Sequence, residues 1–248
     1  MDRGQLADAL FTIVNDTSDL AELPQRLCTA CLSAVPVDGV GLALMAGNQV
    51  GGRAFLGATD LLGARIEQLQ FDLGEGPCVT AFEDGQPVLV TDLRARDAGV
   101  RWPMFVHELR KTPVRALFAF PLRLGAIRIG ALDCYRTRPG PLVEPAAALM
   151  VAQAVTAALL RVQVREADRE HETGEFPWEA KPGLVDLAIR HHAQVHQATG
   201  MVAARLEIGL EEAFVRLRAY AFRLGRSLDE VGADVVAGRM PLDILDKP

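Results

Sequence analysis

The stretch VQVREADREHETGEFPWEAKPG, residues 162–183, constrains this chain more than any other. It abandons the apolar periodicity that precedes it and fills with charge, and Gly174, Pro177 and Pro182 would break a helix still running there. One continuous core is not expected to pass through it. At 248 residues the chain has the length for two small domains instead. The sequence predicts a domain over residues 1–165, a linker over 166–182 and a second domain over 183–248. The halves should then be joined without one continuous rigid helix. They differ in kind, the first mixing strands and helices and the second being helical throughout.

In the first half, Gln5–Val14 and Asp19–Ala34 have helical spacing, with Leu20, Leu23, Leu27 and Cys31 on one face of the second. Two strands, Gly39–Ala46 and Gln49–Ala58, flank a turn at Gly47–Asn48. A short helix, Leu61–Leu69, is followed by a helix opened by Pro77 and a strand over Pro87–Thr91. The run RALFAFPLRLGAIRIGALDCYR is two strands joined through Leu124, Gly125 and Ala126. A long helix, Pro145–Val164, carries Leu149, Ala152, Val155, Leu159 and Val162 down one side. Adjacent strand pairs with helices at both ends predict an α+β domain, its antiparallel sheet of five or six strands flanked by helices. The Gln5–Val14 and Pro145–Val164 helices should pack together and supply a homodimer contact, with Ala152, Ala154, Ala157 and Ala158 allowing close approach.

The succession GEGPCVTAFEDGQPVLVTDL and then FPLRLGAIRIGALDCYR resembles a GAF domain, over roughly residues 5–165. The resemblance implies a sensor fold with room for a small-molecule ligand, and it leaves the ligand open. Members of the family bind cyclic nucleotides, bilins, haem, small metabolites or nothing. One GAF family is an enzyme, the free methionine-(R)-sulfoxide reductases, and Cys78 matches its resolving cysteine. Its nucleophilic cysteine should fall in RWPMFVHELRK, residues 101–111, where this chain has none. A thiol enzyme needs an attacking thiolate. Cys28 and Cys31 form a Cys-x-x-Cys pair inside a helical pattern, with no second pair at zinc spacing. They read as core. No catalytic, metal or cofactor set is expected.

The second half predicts a small three-helix all-α bundle. Helix one runs from about Leu184 to Glu207 and is ended by Gly209. Helix two, Glu211–Leu224, has a core stripe of Phe214, Leu217, Ala221 and Leu224. Helix three opens with the capping box Ser227-Leu228-Asp229-Glu230 and stops at Gly238. The chain has a net charge of −6, so any nucleic-acid site must be a local patch. From Ala213 to Arg226 there are four arginines and no acid. At 100° per residue, Arg216 and Arg223 lie opposite the core stripe, with Tyr220 at their flank. An aromatic beside paired arginines suits stacking plus phosphate contact with single-stranded RNA.

The whole segment AQVHQATGMVAARLEIGLEEAFVRLRAYAFRLGRSLDEVGADVV closely resembles an ANTAR domain, over residues 183–243. That is the RNA-binding output module of transcription antitermination regulators. The resemblance implies a cytoplasmic protein, usually a homodimer, that grips RNA hairpin loops of nascent transcripts. With the resemblance, the candidate RNA contacts are Ala198, Thr199 and Gly200 together with the basic face of Arg216, Tyr220, Arg223 and Arg226, which is otherwise a solvated surface. Thr199 departs from the family, which commonly has lysine there, so one phosphate contact is missing. Gly200 costs a helix about 0.5–1 kcal/mol relative to alanine, which is reasonable where another chain approaches closely or where helices of the bundle pack tightly. Two other readings stand beside this one: a protein–protein signalling module without RNA binding, and a GAF-type free methionine sulfoxide reductase. The N-terminus MDRGQLADAL shows no cleavable export signal. Four cysteines make no disulfide framework, and no apolar run approaches the ~18–20 residues that span a bilayer. Cytoplasmic location without a membrane partner is the expectation.

Overall fold

A computed structural model describes residues 3–16, 20–45, 53–173 and 190–246. Five strands, β1 (Gly39–Met45), β2 (Arg53–Ala58), β3 (Val88–Val90), β4 (Ala116–Leu124) and β5 (Ile127–Arg136), form one sheet of order β2-β1-β5-β4-β3. Every pairing is antiparallel, as the sequence predicted. The Gly47–Asn48 turn lies outside the described residues. Side chains alternate across a strand, and both faces of this sheet are covered. Phe118, Phe120, Leu132 and Cys134 join the core beneath α1 (Arg3–Asp16), α2 (Leu23–Ala34) and α7 (Pro145–Thr173). Leu117, Ala119, Ala131 and Tyr135 face the other way, under α3 (Leu61–Leu73), α4 (Pro77–Asp84), α5 (Arg96–Arg101) and α6 (Pro103–Leu109). Asp133 shares that second face, a carboxylate in the apolar middle of β5 and itself buried.

Helix α7 corrects two sequence expectations. It continues past Val164 to Thr173, so the charged stretch is helical over residues 162–173. Ala, Arg and Glu are good helix formers, and losing an apolar stripe removes packing without removing propensity. Residues 174–189, where the prolines fall, lie outside the described residues. The segment Pro145–Arg165 is also long and apolar enough to cross a membrane by length and composition. Here it serves as a core helix, with Ala148, Val151, Val155 and Leu159 buried against the sheet and α1. Ala152 and Ala158 lie in the same core and are not available to a second copy, whereas Ala154 and Ala157 are only half-buried.

The C-terminal bundle comprises α8 (Ala193–Leu206), α9 (Leu210–Leu224) and α10 (Leu228–Val236), followed by a 3-10 turn at Leu242–Leu245. Of the helix expected from Leu184, residues 184–189 lie outside the described residues, and the chain turns at His192 before α8 begins. Glu207, with φ 54°, ends α8 in place of Gly209, which instead precedes α9. Phe214, Leu217 and Ala221 are buried as the stripe predicted, but Leu224 is 46% exposed, in the last turn before α9 stops at Gly225. The capping box at Ser227 and Glu230 is formed in both directions. Close helix approach occurs at Gly232, where a Cβ would lie 3.1 Å from the Val195 backbone.

Helix α3 is fixed at both ends. The Asp60 side chain accepts from Gly63 N at 2.7 Å and from the Tyr135 hydroxyl at 2.7 Å, and Gly74 (φ 67°) closes the helix. Replacing Asp60 with Ala should lower unfolding stability by about 1–2 kcal/mol through the lost cap. Urea denaturation reads this directly; an unchanged midpoint would mean that the cap does not hold α3.

Candidate nucleic-acid interface and sensor core

Helix α9 presents the basic face that the sequence indicated. Arg223 is exposed and lies over the Tyr220 ring at 5.0 Å, with no carboxylate partner among the described residues. Tyr220 is half-buried against the bundle core. Arg216, one face with Arg223, is engaged by Glu212 at 2.6 Å and Asp246 at 3.2 Å. Arg226 reaches Asp234 at 2.7 Å. Exposed ion pairs of this kind are worth little, roughly 0–1 kcal/mol, although Arg216 also donates to the Leu245 carbonyl at 3.0 Å. Ala198 and Thr199 lie inside the bundle; Thr199 is 5% exposed and its hydroxyl donates to the Val195 carbonyl. Gly200 is half-buried, and a Cβ there would meet open space. Its missing side chain is therefore not explained by packing within the bundle.

No local sequence pattern signals what lies on the bundle's other side. Phe71, from α3 of the first domain, is 3% exposed and belongs to the core of the second. Its ring stacks on His192 at 3.7 Å and meets Phe214 edge-on at 6.1 Å. Polar contacts surround it. Asp72 accepts from Leu228 N at 3.1 Å, a first-turn amide of α10 that has no partner within its own helix. Gln68 donates to Asp72 and to Asp229, each at 2.9 Å, and Asp229 holds His192 Nδ1 at 2.9 Å. Burial raises the Asp229 carboxyl, but the His192 contacts outweigh it and leave it below the ordinary range. Arg218 donates to the Phe71 carbonyl at 3.2 Å and lies over the Phe214 ring. Burial pushes its guanidinium down to about 10. Beside this contact runs a cleft of ≈ 580 Å³ between α3 and the α9–α10 corner.

On its adjoining side α3 faces the sheet, and there a polar cluster is buried. Glu67, 2% exposed, receives Arg53 at 2.8 Å. Arg53 also lies 3.2 Å from Cys78 Sγ. Gln70 donates to Asp133 at 2.6 Å and accepts from Cys78 N at 2.8 Å. Burial, then the charge of Glu67, push the Asp133 carboxyl well above its usual range. Burial likewise raises the Cys78 thiol, against the pull of Arg53. Room for the cluster comes from Gly41, paired with Asp133 across the strands, where a Cβ would stand 2.6 Å from Glu67 Oε1. Even so, Arg53 Nη1, Glu67 Oε1 and Asp133 Oδ1 find no hydrogen-bonding partner among the described residues. A neutral orphan of this kind costs about 1–3 kcal/mol and a charged one more.

The cysteine chemistry does not assemble. All four cysteines are buried, and Cys78 is held far from a thiolate. His107, in the segment where a partner cysteine would stand, is exposed beside Glu108. Cys28, Cys31 and Cys134 lie in the core on the opposite face of the sheet, and burial raises each thiol.

Comparison with known proteins gives two family matches. The GAF domain family matches residues 17–160, more than half of the chain, and the ANTAR domain family matches residues 186–236. No curated protein matches. Among solved structures, the GAF domain of a phosphoenolpyruvate-protein phosphotransferase from Coxiella burnetii is similar at TM-score 0.51 and 17% identity, over 67% of this chain and 98% of that one. The GAF domain of the Acinetobacter phosphoenolpyruvate-protein phosphotransferase gives 0.48 at 13% identity, over 66% and 97%. The free methionine-R-sulfoxide reductase of Neisseria meningitidis gives 0.42 at 16% identity, over 63% and 87%. At such identities the Coxiella likeness speaks for the fold alone.

The histidines beside the interface are expected to make the bundle sensitive to acid. Burial, then the charge of His192, hold His196 below its ordinary value of 6.5. The unfolded chain therefore takes up the proton first, and stability falls as pH drops through 6.5. Thermal unfolding of the parent should weaken between neutral and mildly acid buffer, and His196→Gln should flatten that slope. A slope unchanged by the substitution would assign the acid sensitivity to other groups.

Proposed function

The chain belongs to the GAF-domain family and carries an ANTAR domain behind it, and from that premise we propose that it is a signal-responsive, RNA-binding regulator of transcription antitermination. The observation that carries this reading is the α9 face. Arg223 lies over Tyr220 with no carboxylate opposing it among the described residues, and Arg216 and Arg226 sit in surface ion pairs on the same bundle. A base of an RNA hairpin loop stacks on Tyr220 while the arginines take phosphates. Gly200 leaves room for the loop backbone to approach, and Ala198 and Thr199 support that turn of α8 from behind.

The GAF half is the sensor, and α3 is its link to the output. That helix lines the buried polar cluster with Glu67 and Gln70 and docks the bundle with Gln68, Phe71 and Asp72. A ligand with unequal affinity for the docked and undocked arrangements shifts their populations. The protein acts in the cytoplasm as a homodimer, its copies meeting along the half-buried side of α7 near Ala154 and Ala157. It is not an enzyme in this reading.

Two outcomes follow. Titration of a hairpin RNA at several salt concentrations should show Tyr220→Ala losing roughly 1–3 kcal/mol of binding. Arg223→Ala should reduce the log–log salt slope by close to one unit, with circular dichroism confirming that each variant is folded. If folded variants bind a verified hairpin as tightly as the parent, the face is solvated surface and the protein-contact relay is the better reading. Light scattering at micromolar concentration should return twice the chain mass of 26.8 kDa; a monomer there would remove the dimer from the account.

A further inference from the structure

We propose that the buried cluster under α3 is a binding site for a divalent transition-metal ion of the zinc or ferrous type, held by Glu67, Cys78 and Asp133. The inference rests on the donor atoms themselves and is independent of whether the α9 face binds RNA. One ligand atom from each of the three residues lies within 4.8 Å of the others, and all three residues are buried. Around a tetrahedral ion with bonds of about 2.0–2.3 Å the ligand atoms stand about 3.5 Å apart, so side-chain adjustments of roughly an ångström close the set.

Two observations point to a ligand beyond mere proximity. Among the described residues, Glu67 Oε1 and Asp133 Oδ1 are both buried and both lack a hydrogen-bonding partner. Their second oxygens are already used, Glu67 Oε2 by Arg53 and Asp133 Oδ2 by Gln70. Each carboxylate is thus oriented by a partner on one oxygen and leaves the other free, the arrangement that outer-shell hydrogen bonds give to metal ligands. Gln70 spans two ligands, donating to Asp133 and accepting from the Cys78 amide. The sheet also leaves space for the cluster, since a Cβ on Gly41 would clash with Glu67 Oε1.

Charge selects the kind of ion. With all three ligands deprotonated the cluster carries three negative charges, and Arg53 supplies one positive. A dication completes neutrality, and binding is an exchange of the ion for the protons that the ligands hold without it. The thiolate favours a borderline or soft metal over magnesium or calcium, and the two carboxylate oxygens suit a first-row ion. Three protein ligands leave one tetrahedral position for water or a small exogenous ligand.

The test is cobalt(II) titration of the intact, metal-stripped chain, followed by competition with zinc. The expected result is one saturable site per chain with a thiolate-to-cobalt charge-transfer band that zinc abolishes. Cys78→Ser should remove the band, and Gln70→Leu should weaken affinity by about 10–100-fold while keeping it. Because Cys78→Ser can also disturb the fold, a Cys28→Ala/Cys31→Ala/Cys134→Ala variant, with Cys78 its only cysteine, provides the converse. It should retain the band. No saturable cobalt binding by the parent, or a band lost with the Cys28 and Cys31 pair and kept in Cys78→Ser, overturns the proposal.

Discussion

The stack of Phe71 on His192 is the contact on which the arrangement of this protein depends. A buried phenylalanine removes roughly 150–250 Å² from water, and here the ring belongs by sequence to one domain and by packing to the other. The C-terminal bundle is small, and domains near 60 residues bury a modest share of their surface and are marginal alone. Phe71 supplies a large side chain to a core otherwise built mainly from Val, Leu and Ala. The Asp72 carboxylate adds a partner for an amide at the start of α10. Part of the bundle's fold is therefore provided by the sensor.

This explains why α3 is more than a connection between strands. Its i, i+3 positions Glu67 and Gln70 face the sheet, and the adjoining positions Gln68, Phe71 and Asp72 face the bundle. The helix is capped by Asp60 and closed by Gly74. A change in the buried cluster can move α3 only by altering the surface on which the bundle sits. The proposed coupling runs through this one helix.

Much of the architecture was legible in the sequence, because period-2 and period-3.6 patterns report which face of an element is buried. The β4–β5 strands, the Pro77 helix and the Ser227 capping box follow from local rules. What covers a buried face is not local. The helix expected over Leu61–Leu69 runs on to Leu73, and the extra turn contains Phe71 and Asp72, two of the three docking residues. Asp133 reads as an odd polar residue in a β-strand until Glu67, Cys78 and Gln70 are seen against it. Helical angle put Arg216, Tyr220 and Arg223 away from the core stripe, and the structure leaves Arg223 exposed and the other two half-buried, whereas Ala198 and Thr199 are interior. A motif resemblance names positions without saying which of them reach solvent.

Amide hydrogen exchange on the intact chain, comparing the parent with Phe71→Ser, tests the central claim most directly. Cooperative units lose protection together when a shared core contact is removed. If Phe71 is a structural member of the bundle, α9 and α10 exchange faster in the variant while β4, β5 and α7 keep their protection. Unchanged protection in α9 and α10 would mean that the bundle stands without the sensor, and the account of α3 as the link would be wrong.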